Sequence, residues 1–270
     1  MLWTEEMFKT KKPIIGMLHI QALPGDPDYT RDSSMKAVVE QARKDLEALQ
    51  DGGVDGILIS NEYSLPYQRK MDFVTPAAMA RVIGELMSEI KVPFGVDCIS
   101  DGLATIELAA AVDADFVRGT FCGVYVGDGG FYNNDFSKIL RRKAALGLDK
   151  LKMLYFLNPE SDINLDTRPL PDIAKSIIFK AKPDGFCVSA NAAGSEVKSE
   201  LMLSVKRVSD KVAVFCNTGC RLENVEEKLS SADAACVGTT FKFNGDFYQG
   251  VDVQRVKAFM EKVREYRTTI

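Results

Sequence analysis

The sequence holds one histidine and one tryptophan among 270 residues. A single histidine excludes zinc sites built on paired histidines, HExxH among them. No apolar run approaches the ~18 residues that a membrane-spanning helix needs. The opening MLWTEEMFKTKKP mixes acid with base and has no apolar core, so it does not read as a signal peptide and a cytoplasmic location is expected. No Lys/Arg cluster stands out, and 34 basic residues face 38 acidic ones for a formal charge of −4. Sequence-independent nucleic-acid binding is therefore not expected, although one local site can still be positive enough for a small phosphorylated ligand. P-loop, GxGxxG and GxSxG patterns are missing as well. Cys216 and Cys220 are four apart, which is not CxxC. Cys187, Cys216 and Cys236 lie inside apolar runs and read as small buried hydrophobes.

What is present is ordinary globular composition, 46% hydrophobic and 27% charged. Eight short apolar runs recur: Ile14–Ile20, Gly56–Ser60, Pro93–Ile99, Asp115–Arg118, Leu151–Leu157, Gly185–Ser189, Val212–Asn217 and Ala234–Thr239. Each has strand length and is largely apolar on both faces, as a buried parallel strand should be. Helical patterns lie between them. Met35–Gln50 is amphipathic and closed by Gly52 and Gly53; Met79, Ile83, Leu86, Met87 and Ile90 share one face of a helix that Thr75 and Pro76 open. Asp101, Asp135, Ser195 and Asp252 stand where N-caps belong. The alternation predicts an α/β (β/α)8 TIM barrel in a single domain over residues 1–270, with a doubly wound open sheet as the alternative. Leu2, Trp3, Met7 and Phe8 form an apolar patch that can plug the barrel bottom or pack on a partner subunit.

The loops are unequal. Helix-to-strand links are short, whereas Gln21–Ser34, Asn61–Thr75, Gly119–Asn134 and Asn158–Leu170 are long and all follow strands. The C-terminal face of a barrel carries its active site, often with a phosphate held by the loops after strands seven and eight. Here those loops read Asn217-Thr218-Gly219 and Gly238-Thr239-Thr240, with Lys242 two residues on. Glycine admits close approach, exposed N–H groups and hydroxyls donate, and Lys242 adds a full charge. His19, Asp97 and Arg118 end strands one, three and four; Asp128 lies in the long loop after strand four; Asn61 and Glu62 follow strand two. His19 or an aspartate can move protons, Arg118 can stabilise developing negative charge, and Asn61 and Glu62 can contact substrate. The carboxylates can also hold Mg²⁺, though no metal ligand set is assigned.

Gly16-Met17-Leu18-His19-Ile20 followed by Leu23-Pro24-Gly25-Asp26-Pro27 resembles the opening signature of the BtpA/SgcQ family. Gly53–Ile57 into Asn61, Ala114–Arg118 with Gly123 and Asp128-Gly129-Gly130, Gly219 with Glu223-Asn224-Val225, and Ala232-Asp233 with Val237-Gly238-Thr239 and Lys242 are similar to later family segments. The resemblance implies a TIM barrel. It carries over His19, Asn61, Arg118, Asp128, Gly219, Gly238, Thr239 and Lys242 as site residues. It fixes no reaction: one branch is named for photosystem I biogenesis, and the other occurs with sugar phosphotransferase genes. Three positions depart from the family pattern: Ser60 replaces an acid, Ser100-Asp101-Gly102 replaces Arg-Asn-Asp, and Phe156-Leu157 replaces Lys-His.

The reading favoured is an enzyme for a small phosphorylated sugar or nucleoside-type compound, with lyase, isomerase and hydrolase chemistry all open. A non-catalytic assembly factor and a metabolite-sensing pseudoenzyme are the alternatives. Self-association into a homo-oligomer is left open.

Overall fold

The computed structural model describes residues 2–192 and 195–270. Its centre is a closed barrel of eight parallel strands. These are β1 (Ile14–His19), β2 (Gly56–Ser60), β3 (Phe94–Asp97), β4 (Phe116–Gly119), β7 (Lys152–Asn158), β9 (Gly185–Val188), β10 (Ala213–Cys216) and β11 (Ala234–Val237). All eight apolar runs become barrel strands, and β1 pairs with both β2 and β11 to close the ring. Leu18, Ile57, Val96, Val117, Phe186 and Val214 pack outward under the helices, whereas Ile15, Leu58, Phe116, Leu154 and Phe215 fill the barrel interior. Two-sided burial explains the continuous apolar runs.

The helix-capping expectations divide. Helix α2 (Met35–Gly52) closes on Gly53 in the left-handed region, at φ +87°. Asp101, Asp135 and Asp252 accept backbone N–H bonds at the starts of α4 (Gly102–Ala111), α5 (Phe136–Ala145) and α9 (Val253–Arg267). Thr75 is not a cap: α3 (Val74–Leu86) starts one residue earlier, after Phe73. Ser195 is not one either, because α7 (Ser199–Ser209) begins four residues later, after Lys198. In sequence, Gly194-Ser195 can also serve as an anion contact from this loop, and Gly194 lies outside the described residues.

The bottom of the barrel is sealed. Helix α1 (Trp3–Phe8) inserts Phe8 edge-on against Phe116, ring centroids 5.9 Å apart, and Trp3 stacks on Phe215 at 6.3 Å. Its indole donates to the Asp184 carbonyl. Four aspartates repeat one motif around this rim. Asp55, Asp115, Asp184 and Asp233 each precede a strand and accept the backbone N–H of Ile14, Phe94, Met153 and Val214, respectively, at 2.7–3.0 Å. The backbone N–H of each aspartate returns a bond to the carbonyl of the same residue. These are orphan polar groups at strand starts, satisfied in reciprocal pairs.

The top carries an element the sequence reading missed. The long loops after β4 and β7 form a three-stranded antiparallel sheet, β6 (Gly130–Asn133), β5 (Val124–Gly127) and β8 (Asp162–Asn164). Tyr125 and Tyr132 are paired and buried on its inner face. Val126, Phe131 and Ile163 stand side by side on the exposed outer face.

Candidate active site at the barrel mouth

Because His19, Glu62, Asp97 and Arg118 sit at or just beyond the C-terminal ends of β1 to β4, the closed barrel brings them to one mouth. Arg118 is the hub. Its Nε donates to Asp97 Oδ2 at 2.9 Å, Nη2 to Glu62 Oε1 at 3.3 Å and Nη1 to Asn217 Oδ1 at 3.2 Å. Its guanidinium lies 4.9 Å from the centroid of Phe156, so the aromatic residue at the family's Lys-His position packs on the cation. Ser60, which stands in place of an acid, donates to Glu62 Oε1 at 3.3 Å. Tyr67 donates to Glu62 Oε2 at 3.1 Å. Asn217 Nδ2 continues the network to Ser189 Oγ at 3.0 Å.

Burial separates the acids. It pushes the Asp97 carboxyl up to about 6, although Arg118 opposes the shift. It pushes Glu160, in the loop after β7, up to about 7, with Glu62 adding repulsion and Arg118 opposing. For Glu62, burial is outweighed by His19, Arg118 and the hydroxyls of Tyr67 and Ser60, which hold it below the usual range. Burial lowers His19 to about 4 against the pull of Glu62, with Lys242 and Arg118 adding to the fall, so its imidazole is neutral at pH 7. His19 Nε2 stands 4.0 Å from Glu62 Oε1. Among the described residues, His19 Nδ1, Asp97 Oδ1 and Glu160 Oε2 are buried with no hydrogen-bond partner. Buried groups left unsatisfied in this way mark sites poised for chemistry or ligand.

A cavity of about 720 Å³ opens above this floor. His19, Glu62, Arg118, Glu160 and Asn217 line one end, and residues 218–223 and 238–240 form its wall. The wall is built tightly. At Gly219, with φ +69°, a Cβ would fall 2.4 Å from the Glu196 Cα. At Gly238 a Cβ would come 3.1 Å from the His19 ring. Asn224 fastens the first loop by accepting the Arg221 N–H and donating to the Gly219 carbonyl. Thr240 Oγ1 ties the two loops together through the Cys220 carbonyl at 2.9 Å.

Several expected site residues take other places. Lys242 is not at the cavity wall. It is buried, its Nζ donates to Tyr63 OH at 2.5 Å and to the Phe247 carbonyl at 2.8 Å, and burial lowers it to about 8. The positive charge at the wall comes instead from Arg221 and Arg255, the latter held by its Nε bond to the Thr240 carbonyl at 2.9 Å. Asp128 sits exposed in the turn between β5 and β6 and does not line the cavity. Asn61 is buried and accepts the Ile99 N–H, bracing β2 against the segment after β3. The Thr218 hydroxyl accepts the Ala190 N–H at 2.8 Å, and the Asn217 side chain belongs to the Arg118 network. Asp101 is spent on the α4 cap and the Met71 N–H. Glu160, Tyr67 and Ser189 were missed by the sequence reading. Nothing in periodicity or spacing separates Glu160 from other loop acids, since its burial comes from contacts distant in sequence. Among the described residues no group of three His, Cys, Asp or Glu is disposed to hold a metal ion.

Comparison with known proteins agrees with this architecture. No described helix is long and apolar enough to cross a membrane. Among solved structures, (S)-3-O-geranylgeranylglyceryl phosphate synthase from Thermoplasma acidophilum, in complex with sn-glycerol-1-phosphate, superposes with a TM-score of 0.61 at 16% identity, covering 98% of this chain and 99% of that one. N-acetylmannosamine-6-phosphate 2-epimerase from Clostridium perfringens superposes with a TM-score of 0.55 at 13% identity, covering 98% and 96%. At these identities the likeness is one of fold. In sequence, the sgc region protein SgcQ of Escherichia coli is 44% identical over 99% of this chain and 100% of its own length. The photosystem I biogenesis protein BtpA of Synechocystis is 26% identical over 96% and 91%. The BtpA family model matches residues 10–265, and the chain belongs to the BtpA family.

Proposed function

We propose that this protein is an enzyme acting on a small phosphorylated sugar or nucleoside-type metabolite in the cytoplasm. The observation that carries the reading is the two-part cavity, in which a wall of glycine, threonine and arginine stands beside a buried floor of ionisable groups. The wall at Gly219, Gly238 and Thr239 supplies backbone donors, with Arg221 and Arg255 for charge. The solved neighbours with phosphorylated compounds in their names support the reading at the level of fold.

On the floor, Glu160, raised by burial and lining the cavity, is suited to give and take a proton near neutrality, with Asp97, raised as well, beneath it on Arg118. Arg118 would steady negative charge developing on substrate, while Glu62 and Asp97 keep the guanidinium in place. This set serves isomerisation, elimination or hydrolysis by proton transfer. Mg²⁺ is assigned no role, because the carboxylates of Glu62 and Asp97 are engaged by Arg118.

A second reading, a partner-binding factor without turnover, draws on the exposed row Val126, Phe131 and Ile163. Turnover separates the two. Phosphorylated sugars and nucleotides incubated with the protein and followed by phosphorus NMR should include one that is consumed, with Glu160→Gln slower by about 10²-fold or more. No consumption across the panel, or wild-type rates from the variant, would count against the enzyme reading.

A further inference from the structure

The two ends of the cavity differ in charge, and the difference constrains the part of a ligand that points away from the phosphate. At the wall, the cations Arg221 and Arg255 stand with the acid Glu223, and Arg221 is ion-paired with Glu196 at 3.9 Å. At the floor, Arg118 meets Glu62 and Asp97 at 3.3 and 2.9 Å, and Glu160 adds a third acid. Lys242, which could have offset it, is turned to Tyr63 and the Phe247 carbonyl. The guanidinium is thus already matched by two carboxylates: it can polarise an oxygen on which charge develops, but a full second anion entering there would face three acids and, among the described residues at this end of the cavity, one cation, Arg118.

The polar atoms left without partners there point to a different guest. His19 is buried, lines the cavity and leaves Nδ1 unpartnered, and Glu160, also in the lining, leaves Oε2; Asp97, with Oδ1 unpartnered, lies beneath Arg118 and outside the lining. A neutral imidazole needs one donor and one acceptor, and a carboxylate needs donors. Hydroxyl groups meet all of these needs, since each both donates and accepts. Resting on the phosphate reading above, we infer that the far end of the ligand is a neutral polyol, a chain or ring bearing hydroxyls, and that the floor rejects a second anionic group.

Matched pairs of compounds test this by titration calorimetry: glycerol 3-phosphate against 3-phosphoglycerate, and glucose 6-phosphate against 6-phosphogluconate. Inorganic phosphate serves as the common reference. A like charge brought against desolvated carboxylates is strongly disfavoured. The neutral member of each binding pair should therefore bind about 10²-fold tighter than its acid. Glu160→Gln should narrow that gap by about tenfold while leaving inorganic phosphate unchanged. Equal or tighter binding of the acids would overturn the inference and leave the phosphate reading intact. If neither inorganic phosphate nor any of the esters binds, the phosphate reading itself falls and the inference falls with it.

Discussion

The two rims of this barrel are built to opposite standards. At the bottom, the aspartates that precede β2, β4, β9 and β11 are all paired with backbone, and Phe8 and Trp3 close the interior. At the top, three acids crowd one arginine, and His19, Asp97 and Glu160 each leave a buried atom without a partner. Satisfied polar groups stabilise, and unsatisfied or repelling ones are retained where binding or proton transfer needs them. The contrast also sorts the segments that resemble the family. Asp55, Asp115 and Asp233 turn out to serve the rim that holds the fold, while His19, Arg118, Gly219 and Gly238 stand at the rim with the cavity.

Substitutions on the two rims should break in different ways. The largest loss is expected from Arg118→Ala, which strands Asp97 and Glu62 in the interior and should cost about 3–5 kcal/mol in urea unfolding at pH 7. Part of that cost should return by pH 5, below the value of about 6 to which Asp97 is raised even with Arg118 opposing. A loss below 1 kcal/mol would mean the floor is more hydrated than its burial implies. On the bottom rim, Asp184→Ala removes the bond to the Met153 N–H and the Lys152 ion pair. It should cost about 1–3 kcal/mol and leave ligand affinity unchanged. A change in affinity would show that the rims are coupled.

A change of pH slope, rather than a fixed loss, is expected in Glu160→Gln. Glu160 is raised in the folded state from 4.5 to about 7, so between those values the native protein holds the proton more tightly than the unfolded chain. Its contribution to stability is present below about pH 4.5 and lost as pH rises through about 7. Asp97, raised from 3.8 to about 6, acts in the same direction at lower pH. His19, lowered from 6.5 to about 4, acts against both, stabilising as pH rises through that range. The difference in stability between Glu160→Gln and wild type should therefore grow in favour of the variant from pH 4.5 to 7, by at most about 1.4 kcal/mol per pH unit. A pH-independent difference would place Glu160 in solvent.

How much of this was legible in sequence depends on the range of the forces involved. The eight strands and the caps at Asp101, Asp135 and Asp252 are local patterns, and they were readable. The turn between β5 and β6 has a local signal as well, Asp128-Gly129 flanked by Val124-Tyr125-Val126 and Phe131-Tyr132. Other features come from tertiary contact. Lys242 follows a phosphate-type loop in sequence, yet its side chain is drawn to Tyr63, from the distant loop after β2, and to the Phe247 carbonyl five residues on. Arg255 enters the cavity from the first turn of α9, a helix whose capping says nothing of a ligand. The Ser195 cap failed because α7 starts only after Lys198, so Gly219 packs on irregular chain at 195–196 rather than on a helix end.

The central claim is that the wall beside β10 and β11 holds the phosphate of a small metabolite. The most direct test is a thermal shift of wild type and the Arg221→Ala/Arg255→Ala double variant against phosphorylated sugars, nucleotides and inorganic phosphate. A ligand at about 100 times its Kd adds roughly 2.7 kcal/mol, a rise on the order of 5 °C. We predict such a rise in wild type and its loss in the double variant. An equal rise in both proteins, or none in either across the panel, would contradict the account.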